Sequence, residues 1–280
     1  MDTILDTIAA YAKQRVGAAK ETLPLEKLKQ QALSMECNTG FPFEKALRSQ
    51  EIGFICECKK ASPSKGVIAE DFPYLSIAKE YERAGASCIS VLTEPKWFLG
   101  TDSYLEEIAS LVSIPCLRKD FVVDEYMIYE AKRLGAAAVL LICSLLPEET
   151  LLRYIGICDE LGLSALVEAH DEAQIRSALN AGARIVGVNN RNLKDFTVDV
   201  RNSIELRRLV PESVLFVAES GIRCAADIQI LRKAKADAVL IGETLMRAKD
   251  KKAALDALRG YAGDTDRTSA ATGTESGEAT

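Results

Sequence analysis

The sequence predicts an α/β protein built as a (β/α)8 TIM barrel with an N-terminal helical extension. Three features carry that prediction: eight short apolar runs, helical patterns between them, and one helix–turn–strand phrase repeated along the chain. The runs fall near 53–58, 87–92, 115–119, 137–142, 164–169, 184–188, 214–219 and 237–241. Short, almost wholly apolar strands alternating with helices call for a parallel sheet covered by helices. Eight such units in about 200 residues fit a closed barrel better than an open sheet.

The repeat is visible in ERAGASCISVLTE, KRLGAAAVLLIC, LNAGARIVGVNN and RKAKADAVLIGE. Gly85, Gly135 and Gly182 occupy the junction, where a helix end favours a left-handed residue; Lys235 stands there in the fourth copy. Ahead of the first strand, residues 1–50 read as helices broken near Leu23-Pro24 and around Asn38-Thr39-Gly40. Such an extension can cap the barrel or cover its mouth. The expected organisation is therefore an extension over 1–50, a barrel over 51–262 and a disordered tail over 263–280, which has no large apolar residue.

Composition excludes several classes of function. No stretch approaches the roughly 20 apolar residues of a membrane span, and MDTILDTIAAYAKQRVG lacks a signal-peptide core. A soluble cytoplasmic protein is expected. The net charge of −6, with acidic and basic residues interleaved, gives no basic stripe for nucleic acid. Of eight cysteines, Cys56, Cys58, Cys88, Cys116 and Cys143 sit in strand-like runs and Cys158 and Cys224 in helix-like ones, with only Cys37 in a polar stretch. Reduced cysteine packs as a small hydrophobe, which suits a reducing compartment. Cys56-Glu57-Cys58 lacks metal-pair spacing and His170 is the only histidine, so neither a metal nor a Cys–His nucleophile is expected.

In this architecture the active site lies at the C-terminal strand ends. Strand 1 delivers Glu57 and Lys59 to one face and Cys56 and Cys58 to the other. Strand 3 delivers Lys119, followed by Asp120 and Phe121; strand 5 delivers Glu168 and His170; strand 6 delivers Asn189, with Arg191 just beyond. Strand 7 ends in Glu219, Ser220 and Gly221, and strand 8 in Gly242 and Glu243. Lysines and carboxylates around one rim can hold each other charged without a metal. Gly221 and Gly242 allow backbone N–H groups to approach an anion, and Ser62 in the Ser-Pro-Ser-Lys-Gly loop adds a hydroxyl, so a phosphorylated substrate is expected. His170 reads more readily as a satisfied loop histidine than as a catalytic one. Trp97-Phe98 either shields an aromatic substrate or packs under a loop.

The segments ECKKASPSKG (57–66), SVLTEPKWFLG (90–100), LRKDFVVDEYMIYEA (117–131), ALVEAHDE (165–172), GVNNRNL (187–193), AESGI (218–222) and LIGETLM (240–246) resemble the indole-3-glycerol phosphate synthase family, in order and across almost the whole chain. The resemblance implies a cofactor-free lyase of tryptophan biosynthesis. Its reaction converts 1-(2-carboxyphenylamino)-1-deoxyribulose 5-phosphate into indole-3-glycerol phosphate, carbon dioxide and water. It implies Lys119 as general acid, Lys59 as partner of the substrate carboxylate and Glu168 as base in the dehydration. Glu57 and Asn189 orient substrate and lysines, supported by Arg191, Glu219 and Ser220. Phe98, Phe121 and Leu193 wall the aromatic ring, and Ser62, Gly221, Gly242 and Glu243 match phosphate positions. A carboxylate facing phosphate repels it, so Glu243 is expected to bind through its backbone N–H with its side chain turned away. A monomer is expected, with phosphoribosylanthranilate isomerase as a separate pathway partner, since 280 residues leave no room for a second barrel. The rival readings are another phosphate-binding barrel isomerase or lyase, including a Schiff-base enzyme using Lys119 or Lys59, and a non-catalytic barrel that binds a phosphorylated metabolite.

Overall fold

A computed structural model describes residues 3–48, 51–192 and 196–260. Eight parallel strands close into a barrel: β1 (Gly53–Cys58), β2 (Cys88–Leu92), β3 (Cys116–Lys119), β4 (Ala138–Ile142), β5 (Ser164–Ala169), β6 (Ile185–Asn189), β7 (Leu215–Glu219) and β8 (Ala238–Ile241). The barrel closes where β1 pairs with β8, Gly53 opposite Ala238, while its other edge pairs with β2. Leaving the last turn of β1, the chain forms a small antiparallel ladder between Ala61–Ser62 and Gly66–Val67. The predicted runs match these strands to within a residue at either end.

Strand alternation sorts the side chains into two apolar layers. Cys56, Cys58, Val139, Val167, Val186, Phe216 and Val239 face outward against the helices. Ile55, Cys88, Leu117, Leu140, Leu166, Ile185, Leu215 and Leu240 fill the interior. Cys224 departs from its reading as part of a helical run. It is the extended N-cap of the helix Ala225–Lys233 and is exposed, because the helix begins one residue later.

The repeated junction has one backbone solution. Gly85, Gly135 and Gly182 take φ values of 81°, 82° and 83°, and Lys235 takes 60°. Lys235 therefore accepts the left-handed conformation that its three counterparts adopt without a Cβ penalty.

The extension does both of the things open to it. Helix α1 (Ile4–Thr22) starts at a capping box between Thr3 and Asp6 and sends Leu5 into the interior cluster from the mouth. Helix α2 (Leu25–Leu33) buries Leu28 and Ala32 in the outer layer. Helix α3 (Pro42–Leu47) plugs the opposite end: Phe43 and Leu47 join the interior cluster, and buried Glu44 accepts from Ser164 Oγ at 3.3 Å and Arg184 Nε at 3.0 Å. The tail expected over 263–280 lies outside the described residues.

Candidate active site

At the C-terminal ends of the strands lies a cavity of about 470 Å³. Glu57, on the inner face of β1, and Lys59, just past its end, form an ion pair of 2.5 Å. Opposite them, Lys119 Nζ at the end of β3 lies 3.7 Å from Glu168 Oε2 and 3.8 Å from Glu219 Oε2. Asn189 Nδ2 donates to Glu168 Oε1 at 3.2 Å, and Asn189 Oδ1 accepts from the backbone N–H of Arg191 at 3.0 Å. Arg191 in turn donates to the carbonyl of Phe196 at 3.3 Å. The neighbour of Lys119 goes the other way: Arg118 points outward and is held by Asp102 at 2.6 Å and Glu130 at 2.8 Å.

Charge balance sets the protonation of this rim. Burial alone pushes the Lys119 ammonium towards neutrality, but Glu168, Glu219 and Glu57 outweigh it and hold its pKa above the usual lysine range. Burial likewise opposes ionisation of Glu57, yet Lys59 and Lys119 keep its carboxyl below the usual range. Glu219 goes the other way. Burial and the neighbouring Glu168 carboxylate, only partly offset by Lys119, push it up to about 8, and its buried Oε1 has no hydrogen-bond partner. Glu219 therefore holds a proton more readily than an ordinary glutamate.

Two glycines make room for these charges. A Cβ on Gly242 would stand 2.3 Å from Glu57 Oε1 and 2.9 Å from Lys59 Nζ, and one on Gly187 would stand 2.2 Å from Glu219 Oε1. Gly221 has φ 82° and Ser220 φ 66°, so the loop after β7 turns its backbone sharply at the cavity wall. Ser62, Gly221, Gly242 and Glu243 line the cavity, as do the cations Lys65, Arg223 and Arg247. The Glu243 carboxylate is occupied by two of them, Arg247 Nε at 3.2 Å and Lys65 Nζ at 3.7 Å.

An indole-3-glycerol phosphate synthase family model matches residues 5–258. The chain belongs to the indole-3-glycerol phosphate synthase family. Relatives bearing that name come from Ruminiclostridium cellulolyticum, 59% identical with 92% of this chain and 100% of the relative covered, and Lachnoclostridium phytofermentans, 51% identical with 89% and 96% covered. Among solved structures, a 3-hexulose-6-phosphate synthase aligns with TM-score 0.62 at 16% identity, covering 75% of this chain and 99% of its own. A thiamine phosphate pyrophosphorylase from Pyrococcus furiosus gives 0.57 at 16%, covering 76% and 96%. At such identity these two show a shared fold alone.

The site residues read from the sequence of this synthase family member converge, with one outside view: Leu193 lies outside the described residues. Phe98 and Phe121 stand 5.8 Å apart between ring centroids and form an apolar wall with Ile68 and Leu92. Trp97 turns away to meet Tyr11 of α1 edge-on at 5.6 Å, which resolves the open reading of Trp97-Phe98 into one residue for the cavity and one for docking the extension.

Other participants were invisible in the sequence. Ile4, Leu5 and Ile8 of α1 line the cavity. Fully buried Glu94 accepts from the backbone N–H groups of Lys96, Trp97 and Phe98 at 3.0, 2.7 and 2.9 Å, which shapes the loop presenting Phe98. A Glu just past a strand end followed by Pro carries only a weak signal of such a role. The α1 contacts carry none, since they join residues far apart along the chain.

Proposed function

We propose that this protein closes the pyrrole ring of indole-3-glycerol phosphate from 1-(2-carboxyphenylamino)-1-deoxyribulose 5-phosphate, releasing carbon dioxide and water. The observation that carries the chemistry is Lys119, buried, cationic and facing the cavity between Glu168 and Glu219. The aryl amine pushes electron density to the ring carbon bearing the carboxylate, and that carbon attacks the ketone. Lys119 protonates the developing alkoxide, as a positioned general acid can. The iminium formed on attack accepts the electrons released when the carboxylate leaves as carbon dioxide. Lys119, reprotonated from solvent, gives the proton with which the hydroxyl leaves as water, and Glu168 removes the remaining carbon-bound proton, which completes the aromatic ring.

Lys59, fixed by Glu57, meets the substrate carboxylate before it leaves. Asn189 keeps Glu168 in place, with Arg191, Glu219 and Ser220 supporting that side of the rim. Phe98 and Phe121 enclose the aromatic ring. The phosphate lies at the end formed by Ser62 and the backbone N–H groups of Gly221, Gly242 and Glu243, the Glu243 carboxylate being neutralised by Arg247 and Lys65. A Schiff-base mechanism fits poorly, because it needs a neutral amine and Lys119 is held protonated. We place the reaction in cytoplasmic tryptophan biosynthesis, carried out by a monomer that receives its substrate from a separate isomerase.

Indole fluorescence tests the proposal directly. Mixing the protein with the carboxyphenylamino-ribulose phosphate should give a rise that Lys119→Ala and Glu168→Gln abolish. Tight substrate binding with no rise would instead support a non-catalytic phosphate-binding barrel.

A further inference from the structure

His170, the only histidine of the chain, stands behind Glu168 and outside the cavity lining. Its backbone N–H donates to Gln174 Oε1 at 2.9 Å, which identifies that atom as the acceptor end of the amide. Nδ1 of the ring lies 3.4 Å from the same oxygen. An amide oxygen only accepts, so Nδ1 carries a hydrogen there. The other nitrogen, Nε2, is buried without a hydrogen-bond partner, 3.5 Å from Glu168 Oε1. In a neutral ring with its proton on Nδ1, Nε2 turns a lone pair towards a carboxylate oxygen. That contact is attractive only when a proton sits between the two atoms, on the ring or on the carboxyl group.

The two oxygens of Glu168 have separate surroundings. Oε2 faces Lys119, whereas Oε1 faces Asn189 Nδ2 and His170. The other groups around the ring do not compete for the proton. Cys143, after β4, has its thiol pushed up to about 12 by burial and the nearby Glu168 and Asp171 charges. Asp171 caps the following helix by accepting from the Gln174 backbone N–H at 2.9 Å. Asn202 meets only the His170 carbonyl, at 3.5 Å. Lys119 and Glu219 lie beyond Glu168.

We infer that His170 is a positioning residue for Glu168, offering Nε2 as the next stop for the proton that Glu168 removes. The inference rests on the reading of Glu168 as the base. In the step, the Glu168 O–H bond breaks as an Nε2–H bond forms, the carboxylate regains its charge, and the ring becomes an imidazolium that donates to Oε1. As product leaves, the Nε2–H bond breaks and the proton returns through Glu168 Oε1 to water entering the cavity that Glu168 lines, which restores the neutral ring with its hydrogen on Nδ1. Gln174 keeps Nε2 aimed at the carboxylate throughout.

A single histidine makes the test direct. Nitrogen-15 NMR of its ring at one neutral pH should give an Nε2 shift in the wild type that differs from that in Glu168→Gln, because the Glu168 carboxylate is the group that Nε2 faces at 3.5 Å. Equal values would overturn the coupling. This readout needs no turnover, so it fails independently of the proposed reaction. His170→Asn keeps a polar side chain near Gln174 but has no basic nitrogen. It should lower kcat about tenfold, flatten the kcat–pH profile on its acidic side, and leave KM within about twofold, with partial recovery on adding imidazole. Wild-type kcat with an unaltered pH profile, in a variant with wild-type thermal unfolding, would exclude the role.

Discussion

Arg15 on α1 grips Asp120, the residue next to Lys119, through contacts of 2.7 and 3.2 Å. Asp120 is fully enclosed and also accepts from Thr93 Oγ1 at 2.7 Å. Burial opposes its charge, but Arg15 and Arg118 hold its carboxyl below the usual aspartate range. One ion pair thus ties the extension that lines the cavity to the strand end that carries the proposed acid.

Removing Arg15 leaves a buried carboxylate short of its nearest cation. Arg15→Gln should cost about 2–3 kcal/mol, somewhat less than a fully buried pair because Arg15 keeps some exposure. KM should rise as Ile4, Leu5 and Ile8 lose their seat. Urea unfolding and steady-state kinetics check both, and an unchanged midpoint would show that α1 docks without the pair. The stability given by Asp120 is present above the ordinary aspartate pKa and is lost as pH falls through its depressed folded value. Wild type and variant should therefore converge in acid.

Lys119→Ala should reduce kcat by about 10²-fold or more, the usual loss for a general acid. Substrate should still bind, since phosphate and aromatic contacts lie elsewhere. Single-turnover kinetics separate the two effects, and near-normal turnover would remove Lys119 from the acid role.

Gly242→Ala tests the space around the Glu57–Lys59 pair. At φ −114° an alanine suffers no backbone strain, so its effect comes from the Cβ alone. Pushing Glu57 and Lys59 aside should lower kcat by about 10²-fold, the scale of a 1 Å misplacement. Thermal unfolding should change far less, and an active G242A would mean the pair can yield.

Glu219 makes stability depend on pH. Its folded-state pKa of about 8 lies above the ordinary 4.5, so the stability tied to its bound proton is complete below 4.5. It declines as pH rises and is gone once pH passes about 8. Glu219→Gln cannot ionise, so its Tm should gain on that of the wild type across this window. A constant difference between the two melting curves from pH 5 to 9 would contradict the shift.

Much of this arrangement was legible beforehand because a strand has a period of two. Once GFICEC is a strand, Glu57 and Lys59 must share a face with each other and Cys56 and Cys58 must take the other. The same rule separates Lys119 from Arg118, which the structure finds on opposite sides of the barrel wall. Less legible were features that depend on where remote segments meet. Nothing local in Gly187 indicates that its missing side chain houses Glu219, and nothing local in Trp97 indicates that it will find Tyr11.

The sequence by itself determined the strand positions, the barrel, the family and the rim of lysines and carboxylates, because these follow from local periodicity and from the ends of single elements. Tertiary structure alone decided that α1 closes the mouth while α3 plugs the far end, that burial beside Glu168 pushes the Glu219 carboxyl up, and that His170 aims Nε2 at Glu168. Those outcomes arise from distances between charges on different strands, and burial sets the strength of each charge only after the barrel has closed.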